Sequence, residues 1–231
     1  MATSEHSAII NRAARAALRP LGLQQKGRSR FWYDDQDWRA FFVELQPSSW
    51  SKGTYCNVGV MWLWHPWAVI REPHWVFNEF ERITVDHSEF ASYDNNPTGF
   101  ETSVAGLMAG AVAEILRLRD QFNSVGAVAH HYKGDVAPGW PKYNRSVALG
   151  LMGSAKDASA GFRSVAAVVA ASAYPNPTDE SFRLNAERLS QLAHDSRAFK
   201  EAIEEQIAGC REGLRLRALT PPVIKSVSAE R

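Results

Sequence analysis

The first periodic segment of the chain is helical. Between Ser7 and Leu21 the apolar residues recur every three or four positions, and arginines occupy the opposite face. This spacing is typical of an amphipathic helix. Pro20 and Gly22 end the pattern, because neither residue favours continuing a helix. The segment therefore predicts a helix whose apolar stripe covers an apolar surface elsewhere in the fold.

From Gly27 onward the apolar period changes to two, the alternation of β-strands. It predicts antiparallel strands in chain order, with Asp34–Asp37 as the first turn and a fourth strand at Arg82–Asp86. The first three predicted strands span residues 29–33, 38–46 and 54–64. The register of the first hairpin stays open. A four-residue loop turns one face of the first strand towards its neighbours in the second strand. A three- or five-residue loop turns the other face towards them.

The second and third predicted strands each have one apolar face. Phe41, Val43 and Leu45 share it in the second strand, and Val58 and Val60 share it in the third. The alternating residues form a second face, called here the mixed face, because it combines aromatic rings with amides and a carboxylate: Phe42, Glu44, Gln46, Tyr55 and Asn57. The N-terminal helix is expected to pack on the apolar face, since both surfaces must be covered.

The helical period returns after Gly99 and continues almost to the C-terminus. An apolar stripe from Val104 to Phe122 predicts a long helix, and Gly126–Pro141 is predicted to interrupt the pattern. Asn176 is predicted as an N-cap, and the last helix is predicted to open at Asp195 or Ser196. Two helices of small residues are predicted between these points, at about residues 144–152 and 155–172.

Together these patterns predict an α+β protein. Its N-terminal helix lies on a three- or four-stranded antiparallel sheet, and a helical, bundle-like half follows. The predicted parts are an α+β domain at residues 1–134, a helical extension at 135–219 and a flexible tail at 220–231. A chain of 231 residues with 45% hydrophobic residues is sufficient to form such a core.

Three stretches of the N-terminal half resemble a known family. They are LRPLGLQQKGRSRF at residues 18–31, FVELQPSSW at 42–50 and YCNVGV at 55–60. They are similar to the family called domain of unknown function 4304, over about residues 8–123 and most clearly over 8–64. Leu23 stands where an aromatic residue is usual in that family. The resemblance implies a bacterial α+β domain and no particular activity, because the family has no assigned catalytic residues.

Charge and composition narrow the classes of partner. The formal net charge of +1 argues against a general binder of nucleic acid or membrane surfaces. No run approaches the roughly 18 apolar residues of a membrane span, and no secretory signal is expected. Cys56 and Cys210 are interpreted as buried thiols in a reducing compartment. These features predict a cytoplasmic protein, and the resemblance implies a bacterial one; no cofactor is predicted.

The candidate catalytic and metal-binding residues form no strong pattern. The sequence has no Walker loop, GxGxxG, HExxH, GxSxG or EF-hand motif. No two of its seven histidines stand four residues apart, as a helical metal site would require. The adjacent His130 and His131 remain open as loop residues, catalytic groups or metal ligands. The carboxylates of the first predicted turn are ordinary turn formers, and no metal is predicted.

Tryptophan is the most unusual feature. Seven of the eight tryptophans lie between Trp32 and Trp75. Either they fill the core and a helix-packing surface, or some form an aromatic face or cleft that binds a ligand or a partner. If the second interpretation holds, we expect substantial solvent exposure for at least two of four candidate tryptophans: Trp32, Trp38, Trp62 and Trp64. The predicted binding residues are Trp32, Trp38, Glu44, Gln46, Asn57, Trp62 and Trp64.

The predicted function is that of a non-catalytic bacterial interaction protein, which binds another protein or a small ligand through this aromatic-rich face. The alternative is a small-molecule enzyme with an acid–base pair of Glu44 and a histidine. An exposed apolar patch would favour binding, whereas a concave pocket with convergent titratable groups would favour catalysis.

Overall fold

The structure is a computed structural model, and it describes residues 4–66, 75–134, 139–172, 177–220 and 224. Within these residues the fold is α+β, with an N-terminal helix, an antiparallel five-stranded sheet and a helical C-terminal region. The predicted N-cap Asn176, Trp67 and most of the predicted tail lie outside the described residues.

The helices and strands follow one another in nearly the predicted order. The helices are α1 Glu5–Leu18, α2 Pro97–Gln121, α3 Val125–His131, α4 Trp140–Leu151, α5 Ala155–Ala170, α6 Pro177–Leu192 and α7 Ser196–Leu214. The strands are β1 Gln24–Gln25, β2 Phe31–Gln36, β3 Arg39–Glu44, β4 Gly53–Tyr55, β5 Asn57–Trp62, β6 Glu79–Arg82 and β7 Phe90–Ser92. The main sheet has the order β1-β2-β3-β5-β6, and β4 pairs with β7 in a small second sheet.

The first hairpin turns later than predicted. β2 and β3 pair with Tyr33 opposite Phe42, so that only Asp37 and Trp38 form the turn. Asp37 has a φ of 60°, a left-handed conformation that aspartate tolerates better than most residues. The prediction of a turn beginning at Asp34 is therefore wrong. The side chain of Asp34 instead accepts a hydrogen bond from Arg119 of α2 at 2.7 Å, which keeps it within the strand.

The third predicted strand is divided at Cys56, which lies between β4 and β5. The predicted fourth strand corresponds to β6. It was predicted to begin at Arg82, but β6 ends at that residue. Beyond it, Ile83 and Val85 lie against α2 where that helix has glycines. A Cβ atom on Gly110 would lie 2.5 Å from Cγ2 of Ile83, and one on Gly106 would lie 2.9 Å from Cγ1 of Val85. These side chains therefore pack against the helix, while the amide of Ile83 still donates to the carbonyl of Cys56 at 2.8 Å.

The chain folds into two compact units, Met1–Met61 with Val76–Gln121, and Trp62–Trp75 with Phe122–Arg231. In the first unit α1 packs along α2, and α2 contacts β3 on the apolar face of the sheet. The apolar stripe of α1 is buried, including Ile10, Ala14 and Leu18. By length and composition α2 resembles a membrane span, as core helices of soluble proteins also do.

The second unit contains helices α3–α7. Helix α3 occupies residues 125–131, so the prediction that the helical pattern is interrupted from Gly126 is wrong there. Ser124 caps this helix by accepting a hydrogen bond from the amide of Ala127 at 3.2 Å. The predicted start of the last helix is confirmed. Asp195 is its N-cap and accepts hydrogen bonds from the amides of Arg197 and Ala198.

A polar triad joins three helices inside the second unit. The fully buried Tyr143 of α4 donates its hydroxyl to Gln206 of α7 at 3.0 Å. Asn185 of α6 donates to the Tyr143 hydroxyl at 2.9 Å, and Gln206 donates to Asn185 at 2.8 Å. Burial raises the pKa of Tyr143, so its hydroxyl stays protonated. The three bonds close a ring, which satisfies groups that would be costly to bury alone.

Replacing Tyr143 with phenylalanine is expected to lower the free energy of unfolding by about 1–3 kcal/mol, because Asn185 and Gln206 each lose a buried partner. Urea denaturation of the variant measures this loss. Tyr55→Phe is the control, since the structure gives Tyr55 ring contacts but no hydroxyl partner among the described hydrogen bonds. An equal loss in both variants would contradict a special role for the triad.

Candidate functional site

Three of the four candidate tryptophans are fully buried: Trp32, Trp62 and Trp64. Only Trp38 keeps partial exposure. The expectation that at least two of the four are substantially exposed is therefore wrong. For Trp62 and Trp64 the reason lies in the second unit. There the Trp62 ring packs edge-on against Phe122, with ring centroids 5.0 Å apart, and Trp64 donates its indole N–H to the buried Asn144 at 3.1 Å.

Trp38 lies away from the predicted polar groups. It occupies the first hairpin turn, with the Arg39 guanidinium 4.5 Å from its ring centroid, a favourable cation–π distance. Glu44 lies at the other end of β3, and six residues of strand separate the two by about 20 Å. The structure therefore does not bring Trp38 together with Glu44, Gln46 and Asn57.

The three predicted polar residues do meet on the mixed face. The Asn57 amide donates to Glu44 at 3.0 Å and to Gln46 at 3.1 Å. A fourth member, which the sequence analysis missed, is Arg82. It donates to the Asn57 carbonyl at 3.0 Å and to Gln46 at 3.2 Å. These four residues are called here the polar cluster: Glu44, Gln46, Asn57 and Arg82.

Strand register explains this assembly. Asn57 of β5 lies directly opposite Arg82 of β6, so their side chains share the mixed face. Asn57 is buried, and its amide groups are satisfied from β3, β6 and the residues that follow β3. The sequence signal for Arg82 was the predicted fourth strand. Placing that strand three residues too late hid the pairing.

A strip of phenylalanines lies beside the polar cluster on the same face. Phe42 stacks on Phe31 at 5.6 Å and on Phe77 at 4.3 Å between ring centroids, and Phe77 contacts Phe80 at 5.9 Å. Phe42 also covers Gly59, because a Cβ atom on Gly59 would lie 2.5 Å from its ring. The phenylalanine strip is defined as Phe31, Phe42, Phe77 and Phe80.

The strip ends in an exposed ring. Phe80 is 56% exposed on β6, an edge strand of the main sheet, although it is a large apolar residue. On the other side of the polar cluster, the Arg82 guanidinium lies 4.7 Å from the Tyr55 ring, which packs on Phe90. Arg82 also reaches Glu89 at 3.6 Å. The mixed face thus combines an aromatic surface with oriented polar groups, but with phenylalanines where tryptophans were predicted.

In the described part of the chain, the groups near the polar cluster are not arranged for acid–base catalysis or for metal binding. Among the hydrogen bonds of the described residues, Glu44 accepts from Asn57 and makes none with a histidine. Burial raises the pKa of the nearby Cys56 thiol to about 12, which keeps it protonated at neutral pH. No group of three or more potential metal ligands occurs within the described part of the chain. The acid–base pair of Glu44 with a histidine stays a prediction without structural support.

His130 and His131 are placed differently from the sequence analysis. They are the last two residues of α3 and both are exposed, so the alternative of loop residues is wrong. The His131 ring packs edge-on against Phe122 at 5.0 Å and Tyr132 at 4.7 Å. Consecutive helical residues point about 100° apart, so the pair does not converge on one point.

Comparison with protein-family models, curated proteins and solved structures gives no match for this chain. Its resemblance to the domain of unknown function 4304 family therefore stays a prediction. Inferences about function rest on the geometry of the sites themselves.

Proposed function

We propose that this chain is a non-catalytic interaction protein of the bacterial cytoplasm, which binds a partner protein through the mixed face of its sheet. The exposed ring of Phe80, at the end of a continuous phenylalanine strip, is the observation that carries the proposal. Large aromatic side chains that remain exposed beside oriented polar groups are typical anchors of protein interfaces.

The polar cluster supports binding in preference to catalysis. Asn57, Gln46 and Arg82 hold one another by mutual hydrogen bonds, so their orientation is fixed before any partner arrives. A preorganised surface loses less conformational entropy on association. Arg82 keeps partial exposure at the rim, where a partner carboxylate or carbonyl can accept from it.

Site-specific photo-crosslinking in cells tests this function. A photoreactive phenylalanine analogue replaces Phe80, and in a control it replaces Leu184, which is 51% exposed on α6. We expect a discrete crosslinked product from position 80 and none of the same mass from position 184. Phe80→Ala in a competing copy is expected to weaken the complex by about 2 kcal/mol or more, since truncating an aromatic anchor has this effect.

The melting temperature separates binding from folding. Phe80→Ala is expected to leave it nearly unchanged, because more than half of the ring already contacts solvent. No crosslink at position 80 in cells grown under several conditions, or equal crosslinking at both positions, would show that the mixed face is not the interface.

A further inference from the structure

A second candidate site lies in the first unit, around the loop that joins β3 to β4. A cavity of about 330 Å³ is lined by His6, Arg30 and the loop residues 47–53. The loop is fixed at its far end, because the Tyr93 amide donates to the Lys52 carbonyl at 2.9 Å and Gly53 lies tightly against Ala91 of β7. The C-terminal end of the loop, which lines the cavity, is therefore held by backbone contacts.

Basic groups from three parts of the chain converge there. His6 comes from the first turn of α1, Arg30 from the residue before β2, and Lys52 from the loop. The Arg30 guanidinium is oriented by donating to the Ser7 hydroxyl at 2.8 Å and to the Gly53 carbonyl at 3.4 Å. The residues that line this cavity include no carboxylate. In a chain with a net charge of +1, this is a locally positive site.

The loop also supplies hydroxyl groups and an exposed ring. Ser48, Ser49 and Ser51 line the cavity, and the Ser48 hydroxyl accepts from the Trp50 amide at 3.1 Å. Trp50 is 96% exposed, in contrast to the buried tryptophans Trp32, Trp62 and Trp64. An indole with nearly its whole surface in water contributes little to the fold, yet it provides a platform on which a planar ring can stack.

We propose that this cavity binds a small ligand that combines a phosphate group with a planar ring. The phosphate pairs with Arg30, Lys52 and His6 and accepts from the loop hydroxyls, and the ring stacks on Trp50. Arginine and lysine are the usual partners of phosphate, and hydroxyl donors complete its coordination. This site is separate from the mixed face, so it extends the proposed function and does not depend on it.

The electrostatics of His6 agree with this geometry. Burial lowers the pKa of His6, and the charges of Arg30 and Lys52 lower it further. An anion in the cavity reverses the effect of those two charges, so its binding is expected to raise the His6 pKa. The shift can be followed from the His6 ring resonances in an NMR titration with inorganic phosphate.

Isothermal titration calorimetry with three probes tests the proposal: adenosine 5′-monophosphate, inorganic phosphate and adenosine. We expect the monophosphate to bind most tightly, phosphate to bind more weakly, and adenosine not to bind. Lys52→Ala is expected to weaken monophosphate binding about tenfold or more, because it removes a charged partner of the phosphate. Trp50→Ala is expected to weaken monophosphate binding by a similar factor and leave phosphate binding unchanged.

Arg28→Ala is the matched control, since Arg28 is an exposed arginine two residues from Arg30 that does not line the cavity. It is expected to bind like the wild type, as is Phe80→Ala. Lys52 and Trp50 are exposed, so both variants should keep the wild-type melting temperature. Failure of both phosphate and the monophosphate to bind, or equal binding by wild type and Lys52→Ala, would overturn the proposal.

Discussion

Val58→Asp is expected to abolish soluble expression. Val58 is fully buried in the middle of β5, on the apolar face of the sheet. It pairs directly with Glu81 of β6, so the new carboxylate would lie opposite an existing one. An unpaired buried charge costs several kcal/mol, a large part of the roughly 5–15 kcal/mol that stabilises a typical domain. The soluble fraction and the melting temperature measure the effect.

Two further variants serve as controls. Val58→Ala removes the same side chain without adding charge, and it is expected to remain soluble with a lower melting temperature. His131→Ala changes an exposed residue at the end of α3, and it is expected to stay within about 0.5 kcal/mol of the wild type. Equal melting temperatures for Val58→Asp and His131→Ala would show that the buried face has been assigned wrongly.

The local part of the fold was predictable because it follows from periodicity. Alternation placed Phe41 and Val43 on one face and Phe42 and Glu44 on the other, and the antiparallel order followed from short connections. The hairpin turn was not predictable in the same way. The aspartates are typical turn formers, yet Asp34 lies in β2, where it pairs with Arg119 from a helix 85 residues further along the chain. The interaction with a residue so distant in the sequence outweighs the local preference of aspartate for turns.

The candidate site was predictable to the same extent. Glu44, Gln46 and Asn57 were found because residues that alternate along neighbouring strands converge on one face. Arg82, Phe77 and Phe80 were missed, since the segment before β6 has no clear period and its strand boundary was placed too late. Side chains on a short edge strand that follows an irregular segment leave little pattern in the sequence.

The tryptophans show a different limit of prediction from the sequence. Their number is unusual for one sheet, but two of them, Trp62 and Trp64, belong to the core of the second unit and not to an exposed face. The end of β5 carries Trp62 into the helical unit, and Trp64 follows it there. The partner of the Trp64 indole N–H is Asn144, 80 residues away, and no sequence pattern connects the two.

Trp64→Ala is therefore expected to lower the free energy of unfolding by about 3–5 kcal/mol. Removing so large a buried ring leaves a cavity, and it also removes the hydrogen-bond donor to Asn144. Trp64→Phe also loses the N–H group but keeps a six-membered aromatic ring, so it leaves a smaller cavity and a smaller loss of about 1–3 kcal/mol is expected. Denaturation by urea, followed by circular dichroism of the helices, measures both variants.

Trp50→Ala supplies the comparison, since Trp50 is 96% exposed. It is expected to change the free energy of unfolding by no more than about 0.5 kcal/mol. The two tryptophans are thus expected to have different roles: Trp64 stabilises the fold, and Trp50 is available for a ligand. If Trp64→Ala kept wild-type stability but lost a partner, the buried indole would have to become accessible during binding, and the interpretation of the tryptophans as a binding face would regain its support.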